Sequence, residues 1–316
     1  MTQGLLWRFL VRRLITSAVV MWVVVTLIFL LVSLTPGNIA MIFGGIDARE
    51  LGLDQPLAVQ YSRFLARLAR GDLGQSWLNG TEVTDLIVDR SIPTLELALF
   101  TAVIATGIGL GLGFYSTARR GTLGEVAIRV ATVTGMSVPS FWLGLLLLMV
   151  FGLYLPDILP AGGWVPFGED PLGNLLHLIL PSSVLGLATV ALVSRTLQVS
   201  MRDTLQRDYV TFGRSAGLRE RAVLRHLAFP NAVVPAATVV GLLVGVLISG
   251  TVIVETVFTI PGVGRLMVLS LRNQDIPVAT GATLFLAAFF LVLNTAVDVL
   301  YAWLDPRLRE IYSKSR

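Results

Sequence analysis

The sequence predicts an all-α polytopic membrane protein with six transmembrane helices and both termini in the cytoplasm. Three observations carry that prediction. Hydrophobic residues make up 54% of the 316 positions and charged residues 14%, with a mean hydropathy of +0.78; a soluble domain carries about 25% charged residues. Six apolar runs, at 10–34, 94–117, 128–153, 174–196, 232–256 and 279–302, each reach the roughly 20 residues needed to cross hydrocarbon about 30 Å thick. The 24 basic residues are also unevenly placed: with the N-terminus inside, seventeen fall in cytoplasmic segments and seven outside. That asymmetry follows the positive-inside rule, and an even number of spans returns the C-terminus to the cytoplasm.

Arg8, Arg12 and Arg13 stand at the head of the first run as they would in a signal peptide. The run is longer than a signal core of roughly 7–15 residues and no small-residue cleavage site follows, so it reads as a retained span. The outer segment that follows, 35–93, is too long for a turn. Within it Leu57, Tyr61, Phe64, Leu65 and Leu68 recur at helical spacing, with Arg63, Arg67 and Arg70 opposite them. This is an amphipathic helix that lies on the membrane or caps the bundle. "GDLGQS" (71–76) ends it, and a second short helix over 82–90 leads to Pro93. The chain thus divides into a first span with an outer amphipathic segment (1–93), a five-helix core (94–306) containing a cytoplasmic loop (197–230), and a tail (307–316).

Inside the spans, Gly107/Gly111 and Gly109/Gly113 in "GIGLGLG" form small-xxx-small pairs, which let helices approach closely. The stretch lacks both the third glycine and the preceding strand of a dinucleotide-binding turn. Gly241, Gly245 and Ser249 make a small-residue face along the fifth span. Such a face serves packing within the chain, contact with a second membrane subunit, or the lining of a path. Pro139 sits in the third span, followed by Phe141; a proline there kinks the helix and marks it as a candidate path element. Glu96, Glu255 and Asp298 are the charges at membrane depth. All three lie near span ends, where solvated charges are ordinary, and no central acidic group points to a proton-coupled carrier.

Enzymatic and metal chemistry find little support. There is no cysteine, and His177 and His226 are far apart. Neither G-x-S-x-G nor H-E-x-x-H occurs. The only lysine is Lys314, so no phosphate-binding G-x-x-x-x-G-K-[ST] loop exists and no cofactor is expected in this chain. If ATP drives this protein, another chain binds it.

The arginine-rich loop "DYVTFGRSAGLRERAVLRHLAFPN" (208–231) is the most informative stretch. Asp208 is a suitable cap for a helix over 209–216, Gly217 is its stop, and a second helix over 219–228 ends at Phe229-Pro230. Tyr209, Phe212 and Ala216 share one face, too small to form a core and suited to a groove on a partner. Arg207 and Arg214 flank it, placed to orient an acidic surface. Binding of the basic loop to anionic lipid, in a structural or channel-like membrane protein, is the alternative.

The spacing of this loop resembles the cytoplasmic loop of membrane subunits in binding-protein-dependent ABC importers: E-A-A, three residues, glycine, nine residues, I-x-L-P. Here Gly217 is followed by nine residues and then Leu227, Ala228, Phe229 and Pro230, while Thr211, Phe212 and Gly213 stand at the E-A-A positions. "RGDLGQS" (70–76), "SVPSFWLG" (137–144), "LPAGG" (159–163), "VETVFTIPGVGRL" (254–266) and "LDPRLR" (304–309) are similar to the dipeptide/oligopeptide/nickel permeases, in family order. The resemblance implies the type I importer permease fold and a bacterial or archaeal inner-membrane location. It implies a second, usually non-identical permease subunit, two ATPase subunits that bind ATP and Mg, and an external solute-binding protein. It places Asp208, Tyr209, Phe212, Arg214, Ala216, Gly217 and Pro230 at the ATPase contact. Pro139, Phe141, Gly245, Ser249, Glu255, Pro261, Gly262 and Gly264 are then candidates for the path or an outer gate. Tyr209 and Phe212 are expected to insert into the ATPase.

Single cysteines introduced at Gly80 and Gly168 should react with an impermeant maleimide added to intact cells, and one at Gly217 should not. Labelling of Gly217 from outside would reverse the orientation.

Overall fold

The computed structural model describes residues 3–34 and 55–304. Residues 35–54, the tail with most of the "LDPRLR" motif, and the side chain of Asp298 lie outside the described residues. The described chain is helical, with one isolated bridge pairing Gln75 and Glu82. The helices are α1 (Gln3–Leu34), α2 (Leu57–Ala69), α3 (Val83–Ala118), α4 (Leu123–Ser137), α5 (Ser140–Met149), α6 (Pro171–Leu205), α7 (Asp208–Ser215), α8 (Glu220–Ala222), α9 (Phe229–Val257), α10 (Val263–Arg272) and α11 (Ile276–Leu304). By length and composition, five of the described helices are long and apolar enough to cross a membrane, or six if the bent pair α4–α5 counts as one. Each of the six apolar runs falls on one of these elements.

Three sequence expectations are corrected, each at a proline. The segment 82–90 is not a separate short helix: α3 runs unbroken through Pro93 to Ala118. Pro139 does more than kink the third span: it caps a new helix, and α4 and α5 diverge by 104°. Val138 is extended (φ −83°, ψ 126°), the conformation that a following proline favours. Phe229-Pro230, conversely, ends nothing. The chain passes from α8 through a π-helical stretch, Val223–Ala228, straight into α9, with Pro230 in its first turn. A proline lacks an N–H and crowds the carbonyl four residues back; the wider π turn lies where that crowding falls, and the first helical turn needs no N–H from residue 230.

The structure forms two compact units, one from residues up to Ser91 with Leu266–Thr295, the other from Ile92–Arg265 with Ala296–Asp305. In the first, α2 lies against α1: the Phe29 ring sits 5.1 Å from Tyr61 and 5.8 Å from Phe64, and Thr26 and Tyr61 share a hydroxyl hydrogen bond of 2.7 Å. The amphipathic reading of 57–68 thus holds. Gly71 and Gly74 then adopt φ of +76° and +84°, which turn the chain back. This delivers Ser76 to the buried Asp275, whose carboxylate accepts from Ser76 Oγ at 2.5 Å and Trp77 N at 3.2 Å.

In the second unit, α6 is the central helix. Leu178, Leu180, Val184 and Leu185 pack with Leu97 of α3 and Leu247, Val254 and Phe258 at α9. Glycines decide how close the neighbours come. A Cβ on Gly109 would lie 2.9 Å from Val193 Cβ, and one on Gly113 would lie 2.7 Å from the Ser194 carbonyl oxygen. Gly107 and Gly111, the other small-xxx-small pair, face open space. Only one pair therefore brings α3 against α6 in this chain.

That difference is measurable. Gly111→Ala should leave stability unchanged or raise it by about 0.5–1 kcal/mol, the helical cost of glycine. Gly113→Ala should lose about 1–3 kcal/mol through overpacking against a backbone oxygen. Thermal unfolding of the two purified variants checks this, and equal melting temperatures would show that α3 and α6 do not need the close approach.

Candidate functional site

Helix α7 carries the sequence-predicted partner contact. Its inner face is closed: Val210 is fully buried, and a Cβ on Gly213 would lie 2.8 Å from Leu227 Cδ1 and 3.2 Å from Leu218 Cδ1. Gly213, at one of the E-A-A positions, is therefore small because α7 rests on the helical segment that follows it. The outer face is open. Phe212 is 76% exposed, Tyr209 is 44% exposed, and Ala216 beside them is exposed. Two aromatic rings thus project from a helix of eight residues whose other side is fixed.

The stop of α7 has the expected form. Gly217 has φ +85°, its N–H donates to Arg214 O at 3.0 Å, and Leu218 N–H donates to Gly213 O at 3.1 Å. These are the paired bonds of a Schellman motif, with Leu218 supplying the apolar contact back to Gly213. The start differs from expectation. Asp208 is the first helical residue and Arg207 (φ −74°, ψ 148°) occupies the cap position without a side-chain bond. Asp208 thus acts in the first turn, where a negative charge complements the positive end of the helix.

Arg214 also differs. Instead of standing free toward a partner, it forms a two-pronged pair with Glu220, Nη2–Oε1 at 2.8 Å and Nε–Oε2 at 3.1 Å. The pair is exposed, so its value to stability is small; it links α7 to the start of α8. Arg207 remains exposed at the head of the helix.

Sequence reading missed the anchor at the base of this loop. Glu125, buried in the first turn of α4, accepts from Arg202 Nη2 near the end of α6 at 2.6 Å, from Arg129 Nη2 at 2.7 Å and from Gly121 N at 2.7 Å. Two arginines and a backbone N–H satisfy one buried carboxylate and tie the α3–α4 turn to the helix that delivers α7. The signal was present: Thr122-x-x-Glu125 is a capping-box pattern, and Thr122 Oγ1 accepts from Glu125 N at 3.4 Å.

The path and gate candidates divide into groups. Pro139 and Phe141 are exposed at the α4–α5 break. Gly245 is buried and Ser249 exposed one turn further along α9, where its hydroxyl reaches back toward Gly245 O at 3.4 Å. Glu255, Gly262 and Gly264 do come together. Glu255 is completely buried, a correction to the solvated end expected from its position. Its carboxylate accepts from Thr94 Oγ1 at 2.8 Å and from Arg265 N at 2.9 Å. A Cβ on Gly262 would fall onto that carboxylate, and one on Gly264 would lie 2.6 Å from Val252 Cα. Pro261 is half-buried in the intervening turn. Glu96 likewise has partners, accepting from Trp164 Nε1 at 2.8 Å and Asn174 Nδ2 at 2.9 Å. Helix α9, 29 residues and about 43 Å long, separates Glu255 from the α7 loop by roughly the thickness of a bilayer with its headgroups. Among the described residues, no group of three His, Cys, Asp or Glu is placed to hold a metal ion.

Comparison with known proteins agrees with this architecture. Residues 107–310 match the family described as binding-protein-dependent transport system inner membrane component, and residues 6–98 match that family's N-terminal region. A putative peptide transport system permease protein of Brucella abortus is 37% identical over 309 residues, covering 95% of this chain and 98% of that one. A glutathione transport system permease protein of Pectobacterium atrosepticum is 36% identical over 312 residues, with the same coverage. In fold, the chain is similar to one in the crystal structure of an amino acid ABC transporter, with a TM-score of 0.52 at 16% identity over 71% of this chain and 94% of that one. The chain accordingly belongs to the binding-protein-dependent transport system inner membrane components and is a multi-pass permease subunit of an ABC transport system.

Proposed function

We propose that this subunit imports short peptides, forming half of a translocation path with a second, homologous permease subunit. Two cytoplasmic ATPase subunits drive it, binding ATP and Mg in their own sites, and an external solute-binding protein delivers the cargo. This chain holds no cofactor of its own. The cargo class is supported by its relatives: one is named for peptides and another for glutathione, itself a tripeptide. The path is assigned to Pro139, Phe141, Gly245 and Ser249, and the outer gate to the segment containing Glu255, Pro261, Gly262 and Gly264.

The observation that carries the coupling role is the two-sidedness of α7. Its inner face is packed without slack at Val210 and Gly213, while Phe212 and Tyr209 stand outward. A rigid helix with exposed aromatic anchors suits a groove on another protein, because little side-chain or backbone freedom remains to be lost on docking. When the ATPase subunits close, force on the rings passes through the Arg214–Glu220 pair and the Gly213–Leu227 contact into α9, and through Arg202–Glu125 into α4. Closing thereby biases a two-state bundle between its inward- and outward-open forms.

Phe212→Ala should leave the subunit folded and inserted but weaken ATPase attachment by about 2 kcal/mol, roughly thirtyfold, as removal of a buried aromatic anchor does. Uptake should fall with it. Arginine-to-lysine changes at 207 and 219 should have little effect. If Tyr209→Ala/Phe212→Ala assembles, hydrolyses ATP and transports normally, α7 is not the docking element; if neutralising the arginines alone abolishes membrane function, lipid binding by the loop is favoured instead.

A further inference from the structure

Two loops at the outer end of the second unit, 159–165 and 258–264, are joined to each other and to α3 by a closed circuit of hydrogen bonds. On one side, Thr94 Oγ1 donates to Glu255 and accepts from Val263 N at 2.9 Å, while Arg265 N donates to the same carboxylate. On the other, Glu96 receives Trp164 and Asn174, and Asn174 Nδ2 also donates to Val165 O at 2.7 Å. Thr94 and Glu96 are two residues apart, so they leave α3 in nearly opposite directions and reach different loops. The circuit closes where Gly163 N donates to Phe258 O at 2.8 Å.

The 258–262 turn at its centre is strained. Thr259 adopts φ +56°, a rare conformation for a branched side chain. It is held by Ile260 N donating to Glu255 O at 2.9 Å and by Arg265 Nη1 donating to Thr259 O at 2.8 Å. Phe258 and Ile260 on either side are fully buried. Opening this turn would leave a buried carboxylate without its partners, which is costly in a protein interior.

We propose that Glu255 is the positioning residue of the outer end, locking the 258–264 turn to α3 so that loops 159–165 and 258–264 move as one body during transport. Conformational change therefore goes around this assembly and not through it. The proposal rests on the reading of the chain as a translocation subunit, and it gives Glu255 a specific role within the outer gate segment: it holds that segment in shape.

The chain has no cysteine, so single thiols report cleanly. A Cβ on Gly162 would lie 3.3 Å from Thr259 Oγ1 and 2.9 Å from Phe258 O, so thiols at 162 and 259 are near enough to join after a small local shift. In the assembled transporter in liposomes, Gly162→Cys/Thr259→Cys should cross-link on oxidation, and ATP turnover should stay within about twofold of the same variant reduced. Failure to cross-link in a double variant whose reduced form assembles and hydrolyses ATP normally, or loss of turnover that a reductant restores, overturns the proposal. The second arm needs no transport. Ile260→Cys should be closed to an impermeant maleimide, and should become at least about tenfold more reactive when combined with Glu255→Ala or, should that fail to insert, Thr94→Val. Combined with Thr94→Ser, which keeps the hydroxyl, it should stay closed, and Val193→Cys in the core should stay unreactive throughout. An Ile260→Cys that remains closed without Glu255 or the Thr94 hydroxyl, or a Val193→Cys that opens in parallel, contradicts a local latch. If even the unsubstituted complex hydrolyses no ATP, it is the translocation reading that fails, and the labelling arm still decides the role of Glu255.

Discussion

At both ends of α9 the described backbone leaves regular helix where protein groups answer its hydrogen bonds, and the rest of the described structure depends on that constraint. In hydrocarbon an unpaired N–H or carbonyl costs several kcal/mol. At the outer end of α9 the answer is the buried Glu255 carboxylate, which with Thr94 meets the N–H groups of Val263 and Arg265 at the start of α10. At the cytoplasmic end it is local: a Schellman closure at Gly217 and a π-helical stretch leading to Pro230. Pro93, Pro181 and Pro235 lie inside helices that continue past them.

The two irregular ends differ in what they present. The cytoplasmic end presents side chains outward, Phe212 above all, from a helix whose inner face cannot shift without displacing Leu227 or Leu218. The outer end turns its polar groups inward and is tied to α3 and α6 through Glu255, Glu96 and Asn174. Between them, glycines at 109, 113, 186 and 250 hold α3, α6 and α9 close. Close-packed interiors have low compressibility and transmit strain, which is the physical basis of the proposed coupling.

Much of this was legible in the sequence, and what was not has identifiable causes. The apolar runs and the arginine bias are long-range averages, and all six runs fall on helices. Gly217 was legible because only a positive-φ stop explains a glycine there. The proline readings failed where local rules ignore tertiary context: Pro93 and Pro230 read as ends because a proline lacks an N–H, yet it is tolerated where neighbouring helices or a π turn absorb the strain. Asp208 missed the cap by one residue, the usual uncertainty of a helix boundary. Arg214 and Glu255 were misjudged for a shared reason. Each finds its partner across a turn, Glu220 six residues on and Arg265 ten residues on, and no helical spacing announces such pairs.

The central claim is that the exposed face of α7 meets an ATPase subunit. The most direct measurement replaces Phe212 with a photo-crosslinking benzoyl-phenylalanine in the assembled transporter in its native membrane, with the same probe at Thr211 as the flanking reference. The account predicts that illumination joins position 212 to an ATP-binding subunit far more efficiently than position 211. Cross-links from position 212 to lipid alone, or equal yields from the two positions, would contradict it.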